Sequence, residues 1–210
     1  MILASQSPRR RELLSEAGFE LEILPADIDE TRRGGESPVE LVERLASEKA
    51  EAARTALDHA PADGLLVAAD TIVWMGSEAL GKPADKTDAA RMLRELSGRT
   101  HHVSTGVCAM RLSGDASALA TATFVETTDV TFWDLTEAEI LAYVATGEPM
   151  DKAGAYGIQG AGRVLVRGVS GDYANVVGLP VSRLLRELGS LSGSDRDYVA
   201  DAIRIGGPLA

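Results

Sequence analysis

The chain has 210 residues, 45% of them hydrophobic and 25% charged, with a formal net charge of -11. That length buries a sizeable core as one domain or as two lobes sharing a sheet, and the acidic balance excludes a protein that lives on nucleic acid, whose backbone is held by Lys and Arg. One cysteine, Cys108, excludes an intramolecular disulfide and a multi-cysteine metal site. No apolar run approaches membrane-spanning length and no signal-type segment is visible, so a soluble, cytoplasmic protein without membrane partners is expected.

Met1 to Ala4 reads as a short buried strand that runs straight into a helix N-terminus, with Ser7 as N-cap and Pro8 at the first helical position. Ser5, Ser7, Arg9 and Arg10 add hydroxyl and guanidinium donors to that positive helix end, a setting for a phosphate chain. The alternative is a capped helix with a solvated basic first turn, but basic residues there oppose the dipole. The helix is expected over Pro8 to Ala17, and a half-buried strand over Phe19 to Leu24. The acidic loop Asp27-Ile28-Asp29-Glu30-Thr31 is either a solvated turn or a source of carboxylates for Mg2+ or Mn2+ beside a polyphosphate.

Ser37-Pro38-Val39-Glu40 is a capping box that opens a helix to about His59. Helical spacing places Lys49 at the end of its apolar face, where it either snorkels to water or meets a phosphate in a cleft. Gly64 to Ala69 reads as a central buried strand that ends in Asp70-Thr71. Ligands of open α/β sheets collect outside strand ends, so Asp70 is either placed for catalysis or caps a turn. Ile72 to Met75 continues as strand, and Leu80-Gly81-Lys82-Pro83 brings a second candidate phosphate lysine, Lys82.

Asp85 caps a helix of Thr87 to Leu96, and Thr100 to Leu112 with Ala118 to Trp133 reads as a long antiparallel hairpin. His101 and His102 are adjacent on a strand and point to opposite faces, which favours structural roles over shared metal ligation. A second capping box, Thr136 to Glu139, starts a helix to about Ala145. The glycine-rich run Asp151 to Gly160 lets backbone approach a ligand and lets Gln159 present its amide to a base edge, or it is a long ordered turn. Arg163 to Val169 reads as strand and Leu179-Pro180 leads into a helix to Leu188. From Gly189 the Ser and Gly content suggests a linker, with a short helix over Asp195 to Ile205.

Several of these stretches together resemble the Maf family of nucleoside triphosphate pyrophosphatases. They are Ala4-Ser5-Gln6-Ser7-Pro8-Arg9-Arg10, Glu48-Lys49-Ala50, Ala69-Asp70-Thr71, Gly81-Lys82-Pro83, Leu96-Ser97-Gly98 and Asp151 through Gly160. Each is weak alone; in this order they are specific. The resemblance implies a mixed α/β fold, a strongly twisted sheet with flanking helices and two lobes around a nucleotide-binding cleft, in residues 1–188, with 189–210 as a tail. It implies cleavage of a nucleoside triphosphate to the monophosphate and pyrophosphate, a divalent cation (Mg2+ or Mn2+), and often a homodimer. By the same resemblance Asp70 accepts the proton of the attacking water; because an aspartate is a weak base and a metal-bound water needs less help, Asp70 is also expected to double as a metal ligand. Arg9, Lys49 and Lys82 hold the phosphate chain and Glu30 stands on the metal side. Arg9, Thr71 and Gln159 match the set of the branch that acts on dTTP and UTP. The competing expectations are the same chemistry on CTP or modified nucleotides, and a non-catalytic nucleotide-binding regulator of septum formation.

Overall fold

The computed structural model describes residues 1–61, 63–193 and 195–206. Its strands are β1 (Ile2–Leu3), β2 (Glu22–Ile23), β3 (Leu65–Met75), β4 (Glu78–Leu80), β5 (Thr100–Leu112), β6 (Ala118–Phe132) and β7 (Val166–Ser170). Its helices are α1 (Pro8–Glu16), α2 (Pro38–Thr55), α3 (Lys86–Leu96), α4 (Glu137–Ala145), α5 (Tyr173–Val177), α6 (Val181–Ser192) and α7 (Tyr198–Gly206). The described residues form one seven-stranded sheet in the order β2-β1-β3-β5-β6-β7, with β4 paired to β3. β1 runs parallel to β2 and β3, and the other pairings are antiparallel. This is the mixed α/β sheet with flanking helices that the sequence leads one to expect.

The period-2 alternation of β3 and β5 decides which helix covers which face. Leu66, Ala68, Cys108 and Met110 face α2, packing with Ala46, Ala50 and Ala53. Leu65, Val67, Ala69, Val107 and Ala109 face the other way, onto Leu14 of α1 and Leu184, Leu185 and Leu188 of α6. Further along that second face, Val73, Val103, Val130 and Phe132 form a separate cluster with α3 and α4. α2 lies close on its own face because Gly106 has no side chain: a Cβ there would overlap the Val42 backbone.

The local start signals are observed as read. Ser7, Ser37, Asp85 and Thr136 all cap their helices, the second and fourth in complete capping boxes. Several boundaries differ. β3 runs unbroken through Asp70 and Thr71, so Asp70 lies within a strand and not at its end. α2 stops at Thr55, short of His59, where Ala56 and Leu57 tighten to bonds with the carbonyls three residues back. β2 is a two-residue exposed edge. β7 starts at Val166 because Gly160–Leu165 forms a 3-10 turn instead. α6 continues past the expected linker start to Ser192, since buried Leu191 prolongs the stripe of Leu184, Leu185 and Leu188. Tyr198, at the start of α7, is buried and stacks on Phe19 at 6.0 Å. Ser194 and residues 207–210 of the expected tail lie outside the described residues. No helix among them is long and apolar enough to cross a membrane.

Both histidines of the hairpin have structural partners. His102 Nδ1 pairs with Asp129 at 2.6 Å, while fully buried His101 places Nε2 2.8 Å from the Tyr156 hydroxyl. Burial, then the neighbouring His102, pushes His101 down from 6.5 to about 4. The unfolded chain therefore binds a proton that the folded one refuses, so this contribution is complete above pH 6.5 and is lost as pH falls toward 4. We expect the unfolding free energy to drop by about 1 kcal/mol between pH 7.5 and 5.5 from this ring, measured by urea denaturation, and the drop to shrink in His101→Gln.

Candidate active site

β5 covers one edge of β3 along its length, pairing Leu65 through Trp74. The other edge is shared. β1 takes Leu66 and Val67, and β4 takes Val73 to Met75. The stretch between them, including Asp70 and Thr71, has no strand beside it, and β1 leaves the sheet there to become Ser5, Ser7 and α1. The opening is thus made inside one long strand by two short neighbours, which is why a motif at its centre looks like a strand end in sequence.

Alternation sends Asp70 and Thr71 to opposite faces. Asp70 faces α2, where Lys49 reaches it from the apolar stripe: the ammonium lies 2.6 Å from Asp70 Oδ1 and 2.7 Å from Glu30 Oε1. The Lys49 and Asp70 side chains are mostly buried, whereas Glu30 is 59% exposed. The loop that carries Glu30 is tied down by Arg44. Its guanidinium takes both oxygens of Glu36, at 2.6 and 2.9 Å, and also the Thr31 carbonyl and Glu48. That bidentate hydrogen bonding, followed by the Arg33 backbone N–H, draws the Glu36 carboxyl down to about 2.

Thr71 faces the other way. Its hydroxyl accepts from Arg10 at 2.9 Å and lies 2.9 Å from the Thr105 hydroxyl. Arg10 also donates to the Gly178 carbonyl at 2.8 Å and to Ser5 Oγ at 3.1 Å. Burial pushes the Arg10 guanidinium below its ordinary value, with the Asp70 charge opposing that shift. The two adjacent arginines therefore differ in kind. Arg10 and Ser5 are built into the scaffold, and Ser7 Oγ caps the Arg10 N–H; Arg9 projects outward, with an Asp151 oxygen 3.7 Å away.

The segment 151–160 packs against Val73 of β3 through Gly154 and reaches Arg9 through Asp151. Gly154 donates to the Gly81 carbonyl at 3.1 Å, which sets the segment beside Lys82. Lys82 and Gln159 are exposed, and neither side chain has a partner among the described residues. Gly160 and, just beyond the run, Gly162 serve a contact with Glu148 and Tyr143. A Cβ at Gly160 would crowd the Glu148 carboxylate and one at Gly162 the Tyr143 hydroxyl. Glu148, Tyr143 and Arg44 carry this organisation and escaped sequence reading. Only the Arg44 and Glu48 pair has a local signal, its i,i+4 spacing.

A divalent cation is compatible with this donor set. Glu30 and Asp70 converge on one point, now filled by the Lys49 ammonium, and two carboxylates completed by water and phosphate oxygens suit Mg2+ or Mn2+. No group of three or more His, Cys, Asp or Glu capable of holding a metal exists among the described residues.

Fold and site define an α/β protein whose central strand has an open edge at Asp70, where Lys49 and Glu30 meet it. The chain belongs to the Maf family: the family model described as Maf-like protein matches residues 1–191. It is 51% identical over 189 residues to a Bacillus anthracis protein named dTTP/UTP pyrophosphatase, covering 90% of this chain and 93% of that protein. A Geobacillus protein of the same name is 50% identical over 188 residues, covering 90% of this chain and 96% of its own.

The difference between the paired arginines is measurable. Arg10→Lys loses the planar fork that spans three acceptors and is expected to lower the unfolding free energy by about 2 kcal/mol. Arg9→Lys should change it by less than about 0.5 kcal/mol. Urea denaturation of both variants checks this, and equal losses would contradict the assignment.

Proposed function

We propose that this chain hydrolyses the bond between the α and β phosphates of dTTP and UTP, releasing the nucleoside monophosphate and pyrophosphate. The observation that carries the reading is the cluster at the open edge of β3, where Asp70, Lys49 and Glu30 meet within hydrogen-bond distance. The names of the relatives supply the pyrimidine preference.

The roles follow from the chemistry of a phosphoanhydride, which needs charge neutralisation, an aligned water and a proton acceptor. Arg9, Lys49 and Lys82 supply cations to the phosphate chain, with Ser5, Ser7 and Arg10 shaping the helix end beside it. Asp70 accepts the proton of the water, and Lys49 fixes the direction in which its carboxylate points. Glu30 and Asp70 would hold a divalent cation, which would neutralise phosphate charge. Arg9, Thr71 and Gln159 select the base: Gln159 is exposed for direct contact, and Thr71 is held in place by Arg10 and Thr105. The reaction is assigned to residues 1–188, and residues 189–210 are given no part in it.

Purified protein incubated with a panel of canonical and modified triphosphates and Mg2+ or Mn2+ is expected to yield monophosphate with pyrophosphate, fastest from dTTP and UTP. Diphosphate with orthophosphate would reject the reaction. Asp70→Asn should lower turnover by about 100- to 10,000-fold without changing the fold by circular dichroism. Near wild-type turnover in that variant would remove Asp70 from the chemistry.

A further inference from the structure

Glu148 sits outside the roles assigned so far, yet its carboxylate is among the most heavily used in the described structure. Oε2 accepts from the Ala161 N–H at 2.9 Å, and Oε1 accepts from the Gly162 N–H at 3.2 Å and from the Tyr143 hydroxyl at 2.9 Å. The same Tyr143 oxygen accepts from the Gly157 N–H at 3.0 Å. Two side chains therefore take three backbone N–H groups of one short segment, and Gln159 lies between the outer two.

The backbone is shaped for this contact. Gly160 has φ of 65°, the left-handed region that favours glycine, and a Cβ there would stand 2.8 Å from Glu148 Oε2. At Gly162 a Cβ would stand 2.3 Å from the Gly157 carbonyl oxygen and 2.7 Å from the Tyr143 oxygen. Burial opposes the charge on Glu148, but the two backbone N–H groups, the Tyr143 hydroxyl and Lys152 outweigh it and hold the carboxyl below its ordinary value. A carboxylate is suited to the position because both oxygens must accept; an amide would set its own NH2 against an N–H donor.

We propose that Glu148 and Tyr143 are positioning residues for base selection: they hold residues 157–162 as a bracket from which Gln159 meets the nucleobase. This rests on the base-selecting role given to Gln159 above. An exposed, otherwise unbonded amide discriminates between base edges only if its backbone is fixed, since a mobile one adapts to any edge at little cost. The bracket therefore acts on the choice of nucleotide and leaves the phosphate chemistry at Asp70 alone.

The test compares Glu148→Gln, Tyr143→Phe, Gln159→Ala and the Glu148→Gln/Gln159→Ala double variant, each assayed on UTP, dTTP and GTP. In Glu148→Gln the ratio of kcat/KM for UTP over GTP should fall about tenfold through KM for UTP, with kcat within about twofold. Tyr143→Phe should shift the ratio the same way by less. In the double variant Glu148→Gln should cost no further discrimination, because it acts through a side chain already removed. Amide hydrogen exchange gives a readout independent of turnover: Ala161 and Gly162 should exchange about tenfold faster or more in Glu148→Gln, with β3 and β5 unchanged. Wild-type exchange at those amides, an equal loss on every nucleotide, or full additivity in the double variant overturns the proposal. A ranking altered by Gln159→Ala but not by Glu148→Gln rejects the bracket alone. A ranking untouched by Gln159→Ala rejects the base-selecting role of Gln159 and the bracket with it.

Discussion

The arrangement of the protein depends on a layer of buried polar groups that divides the sheet's second face. On one side of it lies the apolar cluster of α1 and α6, on the other that of α3 and α4. Between them Asn175 donates to the Val103 carbonyl and to Thr128, Thr105 donates to the Asn175 carbonyl, and Thr71 links Thr105 to Arg10. Groups of this kind are costly to bury unless every partner is made. The bonds that are made fix where α1 and α5 sit over β3 and β5, while Asn175 Oδ1 is buried without a partner among the described residues. Arg10 closes the chain of bonds on the Gly178 carbonyl just after α5, and so it anchors the start of α1 beside the open edge of β3. Arg9, one residue earlier, then projects outward toward Asp151 as a consequence of the packing behind it.

The opposite face follows a different logic. It is covered by α2, whose approach is set by an absence, the missing side chain at Gly106, directly across the pairing from Asp70. Where the helix comes down on the sheet, its apolar stripe delivers Lys49 to Asp70. Cutting a Lys–Asp pair off from most of its water is justified only when further hydrogen bonds complete the geometry, and Glu30 supplies the second acceptor. The cluster thus joins three parts of the chain, each held by its own scaffold: Glu30 through Arg44, Lys49 through the α2 stripe and Asp70 through its strand.

What could be read from the sequence was local. Ser7, Ser37, Asp85 and Thr136 announce helix starts because a cap needs only its next few residues. The lengths of β1 and β4 relative to β3 depend on pairing across the sheet, and no local pattern encodes them; Asp70 was accordingly placed at a strand end. The separation of Arg9 from Arg10 is also tertiary, since it depends on Gly178, 168 residues away from Arg10. The glycine run was legible as a place of close backbone approach. What it approaches, Glu148, was not, because a glutamate beside a proline reads as an ordinary loop residue until its neighbours are folded around it.

A chain of net charge -11 must hold a polyanion against its own field. The cations proposed to meet it lie against carboxylates: Lys49 against Asp70 and Glu30, Arg9 loosely against Asp151, and Asp151 in turn against Lys152. Lys82 alone among Arg9, Lys49 and Lys82 has no such partner among the described residues. An incoming phosphate chain therefore exchanges with acidic groups already in place, and a single phosphate gains little from displacing one of them. On the roles proposed for Arg9, Lys49 and Lys82, a triphosphate meets several cations at once, so its later contacts form at high effective concentration once the first is made. On that reading the acidic surroundings favour a long phosphate chain over a short one, because Lys49 and Arg9 are restrained by carboxylates and Lys82 is not.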